Sequence, residues 1–269
     1  MTASLAALPT VFSIGLQRQL AYRWNYLLRA LFSAMPLLVS WVFWKAVFQG
    51  KETVGPYTLA GLLTYYAVLL VVEAVSSPAD DDFQISREIR EGMLNSILLR
   101  PLPYGLYRGA LFLAGRCAYL TAAVLPVALC FFLLSRAVPL ELHSLDWIHG
   151  IPALIGSALL QFSLTLCLSL VSFWLLDISA LIFLVYSLEF LAGGHVFPLD
   201  LLPAPLFTAA RILPFAYEYW FPAASLCGTI PREAWVAGLG MQFGWAGFFL
   251  LFAAFLWKAG LRKYTAAGG

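Results

Sequence analysis

Six apolar blocks, each near bilayer length, recur along this chain of 269 residues. They leave it few choices of fold, because a helix needs about 20 mostly apolar residues to cross the hydrocarbon core of a membrane. The blocks fall at 27–48, 58–77, 110–134, 151–176, 178–196 and 235–257. Charged residues are only 11% of the chain and hydrophobic ones 62%. A soluble domain averages about 25% charged. In lipid every backbone polar group must be satisfied within its own segment, so the blocks read as helices. The expectation is one all-α integral membrane domain over 1–269 with six transmembrane helices. The first block is too long for a cleavable signal and reads as an uncleaved anchor.

Charge placement orients the bundle. Arg18, Arg23 and Arg29 gather at the first block. Arg87, Arg90, Arg100 and Arg108 lie between the second and third, and Lys258, Arg262 and Lys263 follow the last. The other loops carry fewer cations: Lys51, Arg136, Arg211 and Arg232. The positive-inside rule then places both termini and the 80–108 loop in the cytoplasm.

Three stretches depart from simple spans. Leu8, Phe12, Leu16, Leu20 and Trp24 recur every four residues. They suggest a helix along the cytoplasmic interface, with an extension of the first span as the alternative. Between 193 and 234, Pro198, Pro203, Pro205, Pro214, Pro222 and Pro231 cut an aromatic-rich sequence into pieces too short to cross. Such backbone is tolerated at membrane depth only under cover of protein or a cavity, so short re-entrant helices on the outer side are expected. The third stretch is the charged island from Asp80. Ile85, Ile89, Met93 and Ile97 form an apolar stripe, with Arg87, Glu88, Arg90 and Glu91 on other faces and Pro101 as the stop. A single amphipathic helix of this kind suits the groove of a soluble partner, or it rests on lipid headgroups.

Polar residues inside the blocks are few. Ser157, Gln161, Thr165, Ser169 and Ser172 share one face of the fourth block. That face either packs against another helix or lines a transport path. Asp177 suits an N-cap for the fifth helix. Glu73 sits near the cytoplasmic end of the second block, close enough to reach the interface. Glu189 lies deep in the fifth, where an ionised acid costs about 2.5–3.5 kcal/mol. It pairs with another subunit, stays protonated, or faces a polar path. Cys117, Cys130, Cys167 and Cys227 have no paired or metal spacing and read as packing residues.

The sequence contains no GxxxxGK[ST] phosphate loop, HExxH or GxSxG motif. No catalytic residue, metal site or cofactor of this chain's own is expected, and nothing points to nucleic acid. Rival readings are an ion-coupled secondary transporter and a lipid-modifying membrane enzyme, the latter needing His195, Glu189 and Glu218 at one depth.

The segment Ile89-Arg90-Glu91-Gly92-Met93-Leu94-Asn95-Ser96-Ile97-Leu98-Leu99-Arg100-Pro101 resembles the I-R-x-G-x-L-x-x-x-L-L-R-P stretch of ABC-2 type transporter permeases. Gly55-Pro56-Tyr57-Thr58, Tyr65-Tyr66, Phe197-Pro198-Leu199, Leu213-Pro214-Phe215 and the tail from Gly260 extend the resemblance over nearly the whole chain. The resemblance implies the permease subunit of an ATP-driven exporter, paired with a second copy or a related permease. ATP and Mg would bind on a pair of separate ATPase subunits. It also implies an N-terminal interfacial helix and outer re-entrant helices between spans five and six. A cytoplasmic coupling helix would carry Ile85, Arg87, Glu88, Ile89, Arg90, Glu91, Gly92 and Met93. Glu189, Gln161 and Thr165 are candidates for the translocation path or for contacts between subunits. The aromatic outer segment favours an amphipathic or lipid-like cargo, and the location is the cytoplasmic membrane.

Overall fold

A computed structural model describes residues 6–21, 24, 28, 31, 32, 35–77, 81–137 and 140–264. Arg23, Arg29, Asp80, most of 27–34 and the tail after Tyr264 lie outside the described residues.

The chain is helical almost throughout. The helices in order are α1 (Leu8–Ala21), α2 (Met35–Val47), α3 (Leu59–Ser76), α4 (Asp81–Arg90) and α5 (Leu94–Leu98). They continue with α6 (Tyr104–Ala137), α7 (Trp147–Leu170), α8 (Ser179–Ala192), α9 (Ala204–Ala210), α10 (Phe215–Glu218), α11 (Trp220–Leu226) and α12 (Arg232–Lys263). A two-residue hairpin pairs β1 (Thr53–Val54) with β2 (Tyr57–Thr58) across the Gly55-Pro56 turn.

Among the described residues, four stretches, containing α3, α6, α7 and α12, are long and apolar enough to cross a membrane. The other two predicted spans appear as the shorter apolar helices α2 and α8. At 14 residues, α8 is about 21 Å long, against a core of about 30 Å. For α8 the cause is local. The helix was expected to reach 196, but the chain leaves it at Gly193 and turns at Gly194, whose φ is +94°. The first span starts outside the described residues.

α7 is the hub. It packs against α3, α4, α10, α11 and α12. Small residues allow this: a methyl group built on Gly156 would lie 2.2 Å from Gln242, and one on Gly150 the same distance from Leu226. Close approach through small residues replaces the hydrophobic drive that lipid removes. The polar stripe of α7 is buried, and much of it is satisfied locally. Ser169 and Ser172 donate to Thr165 O and Ser169 O, and Ser157 donates to Glu218 O.

Gln242 of α12 seals this junction. Its amide donates to Ala153 O at 2.9 Å and to Tyr217 O at 2.7 Å. Gln242→Leu removes both hydrogen bonds, each worth about 0.5–1.5 kcal/mol. A lower melting temperature of the purified protein is the expected result; an unchanged one would show that the carbonyls find other donors.

The Pro-rich stretch folds back into the bundle. Every residue of α11 is buried, and α10 and α11 share a core with α3 and α7. The Tyr57 hydroxyl donates to Asp200 at 2.8 Å, Tyr66 to Val196 O at 2.6 Å, and Trp44 Nε1 to Tyr66 at 3.0 Å. Short helices are therefore present here; α10 and α11 are covered by protein, while most of α9 is exposed.

α1 runs beside the first turns of α6. A methyl built on Gly15 would sit 3.0 Å from both Leu111 and Ala114, and one on Gly115 would sit 3.5 Å from Gln19. Leu8 and Phe12 face an apolar cavity of about 960 Å³ shared with α6, α7 and α12. Trp24 is exposed. Cys167 is buried as expected for packing, whereas Cys117 is exposed.

Candidate functional site

The charged island forms two helices, not the single one the stripe predicted. α4 ends at Arg90, and Gly92 adopts a left-handed φ of +73° before α5 begins. Glycine enters that region without a Cβ clash, so it stops a helix where other residues would continue it.

The stripe also faces the opposite way from the docking expectation. Ile85, Ile89 and Ile97 are buried with Leu94, Leu166 and Leu170 in the chain's own core, and Met93 alone of the stripe is exposed. Burying an Ile side chain is worth about 1.5–3 kcal/mol. The stripe therefore holds α4 to the bundle and is not free for a partner's groove.

Polar contacts add to the hold. Arg108 of α6 meets Glu88 at 3.0 Å, with side chains 1% and 9% exposed. Tyr104 donates to Glu88 at 3.2 Å and accepts from Arg108 Nε at 3.2 Å. Burial pushes the Glu88 carboxyl above its usual range, and Arg108 and Tyr104 only partly pull it back. Tyr186 of α8 donates to Asp82 at 2.9 Å. Arg90 donates to Leu176 O, just after α7. Tyr104 stacks on Trp257 of α12 with ring centroids 4.3 Å apart. These contacts fasten α4 to α6, α7 and α8 together.

The predicted coupling residues divide accordingly. Arg87, Arg90, Glu91 and Met93 are exposed and Gly92 is half-buried, while Ile85, Glu88 and Ile89 are buried. Leu98 and Leu99 complete the exposed face, Leu99 at 87%. Sequence reasoning passed over these two because they lie off the four-residue stripe.

The second group of predicted residues comes together across α7 and α8. Glu189 is neighbour to Gln161 and Tyr219, and Thr165 borders Tyr186 one turn away. Gln161 and Thr165 are buried. The Glu73 carboxylate lies 3.3 Å from His195 Nε2. His195 in turn packs on Tyr219, ring centroids 4.1 Å apart. Glu218, fully buried on α10, adjoins Glu189. His195 and Glu73 stand 122 residues apart in the chain, so their spacing in sequence gives no sign of this contact.

Asp177 accepts from Ser179 N at 2.8 Å, a turn that leads into α8, though the cap position itself is Ile178. The Ser179 contact holds its carboxyl below the usual range. A cap the sequence reading missed is Asp146, which opens α7 by accepting from His149 N at 3.1 Å. Its side-chain contact with the His149 ring lowers its carboxyl as well. Among the described residues no group of His, Cys, Asp and Glu is arranged to hold a metal ion.

A family model described as "ABC-2 family transporter protein" matches residues 34–268. No curated protein matches the chain.

Proposed function

Since this chain belongs to the ABC-2 family of transporter proteins, we propose that it is the permease subunit of an ATP-driven exporter whose ATPase is a separate protein. The observation that carries this is the strapping of α4 to α6, α7 and α8. A helix held by a buried ion pair and an apolar core on one side, with charges and exposed leucines on the other, suits force transfer from a soluble partner. ATP and Mg bind on that partner in this reading. The permease works as a pair with a second copy or a related chain in the cytoplasmic membrane. Both termini and α4 face the cytoplasm, and the Pro-rich end faces outward as re-entrant helices. Closure of the ATPases shifts α4 and α5, and the bundle follows because its resting and open states differ in these contacts. The cargo is amphipathic or lipid-like.

The test is co-purification with a candidate ABC-type ATPase subunit co-expressed with this chain. Arg87, Glu91 and Met93 replaced together by alanine should weaken retention at least about tenfold, since even one interface hot spot is worth 2 kcal/mol or more. Melting should be unchanged, because these side chains are exposed. Glu88 is unsuitable for this test, as its loss disturbs the fold. Full retention by the triple variant would remove the docking role of this face. Vanadate inhibition of transport separates the ATP-driven reading from an ion-coupled transporter and from a lipid-modifying enzyme.

A further inference from the structure

A cleft of about 930 Å³ runs along α8 from the start of α4 toward the middle of the bundle. Asp82, Tyr186, Glu189, Phe190 and Tyr219 stand on its walls, with Phe183 further along. None of the described residues lining it is Lys, Arg or His. Glu189 closes its inner end. It is 5% exposed, and its Oε2 has no hydrogen-bond partner.

Two of the elements around Glu189 bring further acids to it. α3 contributes Glu73, α10 contributes Glu218, and the turn after α8 contributes His195, with the neutral Gln161 from α7 and Tyr219 beside it. His195 is already engaged with Glu73. Both oxygens of Glu218 also lack partners, whereas Tyr219 and Gln161 reach Glu189 without engaging its Oε2. Unpartnered acid at this depth is costly unless it stays protonated or a positive charge arrives. Aromatic walls are attractive to such a charge, because ring faces carry negative potential. A bare metal ion is a poor fit, since it needs several oxygen ligands and the cleft is mostly apolar.

We infer that this cleft takes the cargo's positively charged group, and that Glu189 is its counter-charge; the cargo is an amphiphilic organic cation. This rests on the permease reading and narrows its cargo.

The test uses the full chain in nanodiscs, without ATP or partner, and the probe tetraphenylphosphonium. Its isosteric anion, tetraphenylborate, controls for shape, and empty discs control for lipid partitioning. Saturable binding of the cation and none of the anion is expected. Glu189→Gln should weaken cation binding at least about tenfold, as loss of a buried charge partner does. Glu189→Asp should keep most of it. Equal binding of the two ions, no saturable cation binding, or an unaffected Glu189→Gln would overturn the inference. If Glu189→Gln fails to fold, wild-type protein supplies the second readout: the cation should slow carbodiimide modification of Glu189 at least about threefold, in keeping with burial of that carboxyl by the ligand. No protection would overturn it. Glu189→Gln should still retain the ATPase. A wild-type chain that binds the cation but no ATPase would sink the exporter reading and leave the cation site standing.

Discussion

Glu88→Ala should destabilise the folded protein by about 3–5 kcal/mol, the cost of leaving one member of a buried ion pair uncompensated. The Arg108 guanidinium is 1% exposed and sits 3.0 Å from Glu88. Without Glu88 it keeps the Tyr104 hydroxyl and the more distant charge of Asp81. Arg108→Ala strands the carboxylate instead, which has more freedom to protonate, so its penalty should be smaller. Replacing both, as Glu88→Leu with Arg108→Met, should recover most of the loss, because burial already disfavours the charged form of Glu88. Melting curves of the two alanine variants and the apolar double variant check this. A Glu88→Ala protein that melts with the wild type would mean that solvent reaches the pair and that α4 is held by its isoleucines alone. The same variant carries a functional consequence. With α4 loosened from α6, ATPase retention should survive better than ATP-driven transport, and the reverse order would count against a coupling role.

Gly194→Ala is the second large effect. Gly194 has φ +94°, and a methyl group there would stand 2.7 Å from the Tyr65 hydroxyl and 2.9 Å from Trp220 Cβ. Left-handed backbone costs an L-residue about 1–2 kcal/mol. Overpacking a tight core costs about 1–3 kcal/mol more. The sum, about 2–5 kcal/mol, separates steric strain from simple bond loss. Tyr65→Phe removes only the 2.9 Å hydrogen bond to Gly194 O, and a single neutral bond is worth about 0.5–1.5 kcal/mol. The glycine variant should therefore melt well below the tyrosine variant. Equal melting would show that the turn can open without disturbing α11.

Much of the bundle was legible in the chain because lipid imposes a local rule. Whether a block is apolar over some twenty residues depends on neighbours in sequence, and α3, α7 and α12 lie where their composition put them. Near Tyr104 the rule failed. α6 begins at Tyr104, six residues before the predicted span, because Arg108 enters the interior with a partner and hydropathy prices every arginine as if it were alone. α8 fell short for a local reason that the apolar content outweighed on paper, the Gly193-Gly194 pair.

The candidate sites divide along the same line. Periodicity identified an amphipathic α4, yet it could not say which surface the stripe would meet, since a groove in a partner and a groove in the chain's own bundle demand the same pattern. Only the packing of Ile85 and Ile89 on α7 decided it. Glu189, Gln161 and Thr165 were suspicious as polar residues in apolar blocks, but their meeting across α7 and α8 and the Glu73–His195 contact are products of three-dimensional proximity. Sequence by itself determined that this chain is a helical membrane bundle of the ABC-2 kind with an amphipathic charged segment. The tertiary structure decided how that segment is tethered and where the unpaired acids gather, because the energy of a buried charge depends on what lies across the bundle and not on what lies beside it in the chain.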